Sequence, residues 1–289
     1  MRRIQVVQKN LFANSMGSWV DDGFLSRVAG LNTTLDNWFL AVAFGLQIYF
    51  DFSAYSNMAI GTARLLGVQL PENFRYPYHA GNPAEFWSRW HMTLSRWIRD
   101  YVFFPINARH GGAPAPLYLS LIGAMALVGL WHGAGWCFVV WGGLHGLWMV
   151  LFRIFERVRD RMFPQLAGSW WLGGILRAFT LAAVTATWIP FRAGSLEQSW
   201  AMLSSMLFRF QPGLSYSVNF YLVTLLFAGF CVIEPYLARL MEWFDTWCAE
   251  RTVALAANQY AFRPLIYAWG LLMFMIFDDQ DTQFIYFQF

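Results

Sequence analysis

Apolar positions in this chain come in long, nearly unbroken runs divided by short polar stretches. The clearest runs are Trp38 to Ile60, Leu117 to Leu130, Trp136 to Phe152, Trp170 to Ile189, Phe220 to Leu240 and Leu265 to Phe277. Runs of this kind predict membrane-spanning helices. Several are shorter than the roughly 20 residues a spanning helix needs, so tilt or polar extension is implied. The first 37 residues are mixed and polar and read as an interfacial segment, which leaves 38–289 as the membrane domain. Gly61 to Pro83, with Pro71, Pro77 and Pro83, reads as a loop, as does the Gly/Pro stretch Asn107 to Pro116. Leu196 to Phe210 reads as an amphipathic helix at the interface. No internal repeat is visible. The fold expected is an all-α, polytopic transmembrane helical bundle with interfacial or re-entrant helices.

Glu85 to Ile106 departs from this pattern. Phe86, Trp87, Trp90 and Trp97 alternate with Arg89, His91, Arg96, Arg99 and Asp100. That is too much charge to face lipid, so the segment is expected as a helix lying in the interface or re-entering the protein. Glu85 and Arg89 stand at i,i+4 and are placed to pair.

Composition strengthens the membrane reading. Charged residues are 13% and hydrophobic residues 57% of the 289-residue chain, whereas a soluble domain carries about 25% charged residues. The net charge of +3 is too small to imply a nucleic-acid partner, and suits basic residues placed in cytoplasmic loops. The three cysteines, Cys137, Cys231 and Cys248, lack the spacing of a disulfide framework or a zinc site. No cleavable signal peptide is recognisable after Met1. Arg153 to Arg161 is the most basic inter-span stretch and is expected as a cytoplasmic loop. Counting outward, the turn at His132 faces the opposite side, Arg89 to Arg99 and Arg109 fall on the cytoplasmic side, and the aromatic ending Phe284 to Phe289 lies outside.

The candidate chemistry centres on His132, in Leu130-Trp131-His132-Gly133-Ala134-Gly135-Trp136, between two runs that carry no Asp, Glu, Lys or Arg. A titratable side chain at membrane depth costs a few kcal/mol (~3) and marks a functional site by default. A neutral imidazole there suits a general base that takes a proton from an alcohol. The competing reading is a histidine bonded to a backbone carbonyl freed by Gly133 or Gly135. His91 is a second acid/base or donor-positioning candidate, or a histidine at the water boundary. His145 lies 13 residues beyond His132, about 220° around a straight helix at ~100° per residue. The two therefore share no face, and His145 near Gly142, Gly143 and Gly146 reads as a packing histidine. His79 and His110 are loop residues. Asp51, with Tyr49, Ser53 and Tyr55 nearby, either orients a histidine or pairs with an arginine. Glu234-Pro235 poses the same question at an expected kink. Arg89, Arg96 and Arg99 suit the phosphates of a carrier-type donor, or anionic lipid headgroups. No metal site is expected.

Five motifs in order carry a family resemblance: Gln47-Ile48-Tyr49-Phe50-Asp51-Phe52-Ser53-Ala54-Tyr55-Ser56, Phe86 to Ser95, Leu130-Trp131-His132-Gly133-Ala134, Trp141-Gly142-Gly143-Leu144-His145-Gly146, and Phe284 to Phe289. Over roughly residues 40 to 289 the chain resembles the membrane-bound O-acyltransferases, most closely their bacterial alginate O-acetyltransferase branch. The resemblance implies acyl transfer in a bacterial inner membrane, with no bound cofactor and an acyl thioester such as acetyl-CoA as donor substrate. It implies His132 as the catalytic histidine and His91 toward the donor side, with Trp131, Asp51 and Tyr49 in support. It also implies extracytoplasmic, esterase-like partner proteins and a polysaccharide acceptor. Only 46 residues precede Gln47, where the family usually has several more spans, so the chain resembles the C-terminal part of the usual domain. Two alternatives to the enzyme are a transporter or export component lined by His132, Asp51 and Glu234, and an inactive shortened form.

Overall fold

The computed structural model describes residues 14–25, 32–109, 114–265 and 268. The described residues are helical or irregular, with no strand among them. We number the α-helices α1 (Asn14–Leu25), α2 (Thr34–Leu65), α3 (Pro83–Arg89), α4 (Met92–Ile98), α5 (Phe104–Ala108), α6 (Pro114–His132), α7 (Trp136–Met162), α8 (Trp170–Arg192), α9 (Leu196–Leu207), α10 (Val218–Ala249) and α11 (Thr252–Ala257). Four of them, α6, α7, α8 and α10, are long and apolar enough to cross a membrane. The expected span at Trp38 to Ile60 is helical, but α2 carries Asp36, Asp51 and Arg64 and is not among these four. The run Leu265 to Phe277, apart from Leu265 and Ala268, lies outside the described residues, as do His110 and the aromatic ending.

The chain forms two compact units. One contains the described residues within Met1–Val20, Ala43–Glu72 and Ser217–Gln288, the other those within Asp21–Val42 and Asn73–Tyr216. The first is organised around α10 and the body of α2. Phe50 meets Phe227 and Phe230 there, and the Tyr49 hydroxyl donates to Glu234 at 2.9 Å.

In the second unit, α6 and α7 form a tight antiparallel hairpin. Gly129, Gly142 and Gly146 make it possible: a Cβ at Gly142 would lie 2.1 Å from the Met125 carbonyl oxygen, and one at Gly129 2.0 Å from that of Phe138. Small residues let helix backbones approach without side chains between them. The α8 helix packs beside α7 and brings its C-terminal aromatic residues to the same end as His132.

The entry to α2 is tied differently. Thr33 and Asp36 cap it reciprocally, Thr33 Oγ1 accepting from Asp36 N and Asp36 Oδ2 accepting from Thr33 N. Both partners of this capping box also reach the segment after α9: Thr33 Oγ1 donates to Gly213 O, and Asp36 Oδ1 accepts from Ser215 N. Thr34 adds a backbone bond to Gln211 O and a side-chain bond from Gln211 N.

Two expectations are corrected here. Glu85 to Ile106 is not one helix, because Trp90 is extended and His91 takes a left-handed backbone, φ 40°, between α3 and α4. A π-helical turn at Arg99–Phe103 follows before α5. Arg153 to Arg161 is not a loop but forms the last turns of α7. Nothing there breaks a helix before Pro164, and basic side chains favour a helix C-terminus.

Candidate functional site

The site grows from the turn end of the α6–α7 hairpin. His132 is the last residue of α6, and Gly133 to Gly135 turns the chain into α7. Three aromatic rings stand edge-on to the imidazole: Trp131 with a centroid at 4.9 Å, Phe191 of α8 at 5.1 Å and Trp141 of α7 at 5.4 Å. Such edge-to-face contacts orient a ring without fixing its protonation by a charged neighbour.

His91 approaches from the other side of Trp131, with ring centroids 5.8 Å apart. Its position is set by a loop far away in sequence. Asn73 accepts from Met92 N through its backbone carbonyl, and from the Thr93 hydroxyl at 2.7 Å through Oδ1. Arg75 N donates to Arg89 O, so the strand-like stretch after Glu72 clamps both sides of the α3–α4 break. Thr93 Oγ1 in turn stands 3.5 Å from His91 Nδ1. Burial lowers the His91 pKa from 6.5 to about 4, so the ring is neutral at neutral pH.

A pocket of about 600 Å³ opens beside His91 and Trp131. His91, Thr93 and Trp97 line it from the α4 side, and Leu127, Leu130 and Trp131 from α6. Apart from His91 and Thr93 this lining is apolar, which suits an uncharged chain with one polar group directed at the histidine.

The three arginines expected on the donor side have different environments. Arg89 pairs with Glu85, as the i,i+4 spacing predicts, and Glu85 also accepts from Gly81 N. Arg99 pairs with its neighbour Asp100, and this hydrogen-bonded guanidinium holds the Asp100 carboxyl below its usual range. Arg96 is exposed and makes no ion pair with a described residue. Asp51 and Tyr49 belong to the other compact unit, both buried, and the Tyr49 hydroxyl is given to Glu234 rather than to Asp51.

Sequence reasoning missed the residues that build the walls. Trp141, Phe191 and Asn73 lie 9, 59 and 18 residues from the histidines they serve; Trp141 opens one of the five motifs, without its place beside His132 being legible, and no local pattern marks the other two. His145 is on α7 rather than on a continuation of the His132 helix, because the Gly133–Gly135 turn separates the two. It is fully buried and bonded to Thr187 at 2.9 Å.

Residues 22–189 match the family model of MBOAT, the membrane-bound O-acyltransferase family. The chain belongs to that family. With its four apolar helices, this makes it a multi-pass membrane protein. Among curated relatives, the probable alginate O-acetylase AlgI of Azotobacter vinelandii is 40% identical over 174 residues, 60% of this chain and 33% of its own length. The peptidoglycan O-acetyltransferase of Helicobacter pylori is 32% identical over 206 residues, 70% of this chain and 37% of its own. The teichoic acid D-alanyltransferase of Bacillus subtilis is 33% identical over 146 residues, 48% and 37% respectively. The chain thus spans about a third of the length of these relatives. The matched MBOAT region contains His91, His132 and His145.

Proposed function

We propose that this chain carries the acyl-transfer centre of a membrane O-acyltransferase, moving an acetyl group from a cytoplasmic thioester to an extracytoplasmic hydroxyl. The observation that carries this reading is His132 at the end of a spanning helix, boxed by aromatic rings and joined through Trp131 to His91 and the apolar pocket. The relatives' printed names describe O-acetylation of alginate, O-acetyl transfer to peptidoglycan and D-alanyl transfer to teichoic acid, which supports the same class.

In this mechanism the neutral His132 imidazole takes the proton of the acceptor hydroxyl as its oxygen attacks the thioester carbonyl carbon. The carbon–sulfur bond breaks, the thiolate leaves, and the imidazolium returns the proton to it. The products are an O-acetyl ester, a free thiol and the original base. The pocket beside His91 holds the donor arm, with exposed Arg96 as the cation for its phosphates. The acceptor is the hydroxyl of an exopolysaccharide such as alginate, or of an extracytoplasmic esterase-like partner that passes the group on.

The test uses membranes containing the full chain and acetyl-CoA as probe, reading thiol release and acetyl transfer. His132→Ala is expected to lower turnover on the order of 10²–10⁴-fold, the range of a lost general base, while the protein stays monodisperse. A folded His132→Ala protein with wild-type turnover would overturn the assignment.

A further inference from the structure

The packing one helical turn below His132 contains a hydrogen bond that the acyl-transfer mechanism does not use. His145 is 0% exposed on α7, and its Nε2 lies 2.9 Å from the Thr187 hydroxyl of α8. That hydroxyl donates to its own helix, to Val184 O at 2.7 Å. Its proton is therefore directed at that carbonyl, and it accepts from His145, which places a proton on Nε2, while the buried Nδ1 has no hydrogen-bond partner among the described residues.

The two helices present matched pairs at this level. On α7, Trp141 and His145 are four residues apart and share a face; on α8, Thr187 and Phe191 do the same. The His145–Thr187 bond forms one tier. One turn away, about 5.4 Å along the axes, Trp141 meets Phe191 at 4.9 Å and Trp188 at 6.1 Å, forming the next. His132 rests on that second tier, against both Trp141 and Phe191. His145 also touches Trp141 directly, centroids 5.0 Å apart, and is backed by Phe86 and Trp87 of α3. Ring packing prefers certain angles but tolerates small slides and rotations between two helices, because its wells are broad. A directional bond tolerates them less.

We propose that His145 is a positioning residue: with Thr187 it locks the register of α7 on α8, and so holds Trp141 and Phe191 at the distances that aim the His132 ring. This deepens the reading of His132 as the base and rests on it. The role needs a hydrogen-bond donor at a fully buried position, which explains a polar ring where a packing residue would be apolar.

Thr187→Val keeps the shape of the threonine and removes the acceptor; Thr187→Ser keeps the acceptor. In membranes containing the full chain with acetyl-CoA as probe, Thr187→Val is expected to lower kcat about 10–100-fold, the scale of an ångström-level misplacement of a catalytic group, with KM changed less than about threefold. Thr187→Ser should stay within about threefold of wild type in both. His145→Gln, whose amide N–H reaches the same hydroxyl, should retain more kcat than His145→Leu. Histidine-selective 15N NMR supplies a readout independent of turnover. With 5 histidines in the chain, the His145 signals are assignable by difference with His145→Gln, and should report a proton on Nε2 and none on Nδ1. A proton on Nδ1, or Thr187→Val with wild-type kcat beside an inactive His132→Ala, overturns the positioning role and leaves the assignment of His132 standing. An active, folded His132→Ala overturns that assignment, and the positioning role with it.

Discussion

The turn end of the α6–α7 hairpin and the entry to α2 both hold polar groups out of full contact with solvent in the same compact unit, by opposite means. Around His132 the fixing forces are backbone approach at Gly129 and Gly142 and edge-on aromatic rings. Around Asp36, which is 0% exposed, they are hydrogen bonds from Thr33 N and Ser215 N and the capped turn. The three rings that touch the imidazole bear no formal charge. The capped carboxylate is saturated and unavailable for chemistry. A reactive group needs the first kind of support and a joint between segments the second.

The comparison breaks most severely at the hairpin. Gly142→Ala drives a Cβ to within 2.1 Å of a carbonyl oxygen that cannot move without its helix. Overpacking of this kind costs about 3 kcal/mol or more, so the yield of monodisperse protein should collapse. The adjacent Gly143→Ala, whose Cβ meets nothing within 4 Å, should be neutral or up to about 1 kcal/mol stabilising in a helix interior. Equal behaviour of the two variants would mean that close approach is not what holds the hairpin.

Acid sharpens the comparison next. With the folded His91 pKa at about 4 against 6.5 in the unfolded chain, the unfolded state binds the extra proton between those values. Stability is therefore fully present above pH 6.5 and falls as pH drops toward 4, by about 3 kcal/mol from this group. Thermal unfolding between pH 7 and pH 4 should show this slope, reduced in His91→Gln. A slope unchanged by the substitution would assign the acid sensitivity elsewhere.

The smallest expected effect is at the joint. Thr33→Ala removes one half of the capping box and the bond to Gly213 O, and should cost about 1–2 kcal/mol. The acyl-transfer rate of folded protein should stay unchanged, which separates a joint from a reactive group. A drop in kcat of folded Thr33→Ala would show the two regions to be coupled.

Local features of this architecture were legible in the sequence. Four of the six apolar runs fall on the four helices able to cross a membrane, because length and hydropathy are properties of contiguous residues. The Glu85–Arg89 pair follows from helical spacing. His132 stood out because its neighbours are apolar on both sides. The missing pieces are long-range. The break at His91 depends on Asn73 and Arg75, which supply hydrogen bonds from 14 to 20 residues upstream of their partners. The basic stretch was read as a loop because charge marks membrane boundaries, yet arginine and glutamate continue a helix well beyond the bilayer edge. The glycines around His145 point to a close-packed, hydrogen-bonded ring, as the structure has it, but its partner Thr187 lies 42 residues away on another helix and no local spacing names it.

The left-handed backbone at His91 separates heredity of fold from heredity of chemistry. At φ 40° histidine is, with asparagine and aspartate, among the side chains that tolerate the backbone best, but glycine, with no Cβ, adopts it at no steric cost. The residue that most relieves the backbone at position 91 is therefore one that erases its ring. A lineage can drift there toward a sound, well-packed membrane protein that has lost its second histidine, and a screen for expression or thermal stability would record that loss as an improvement.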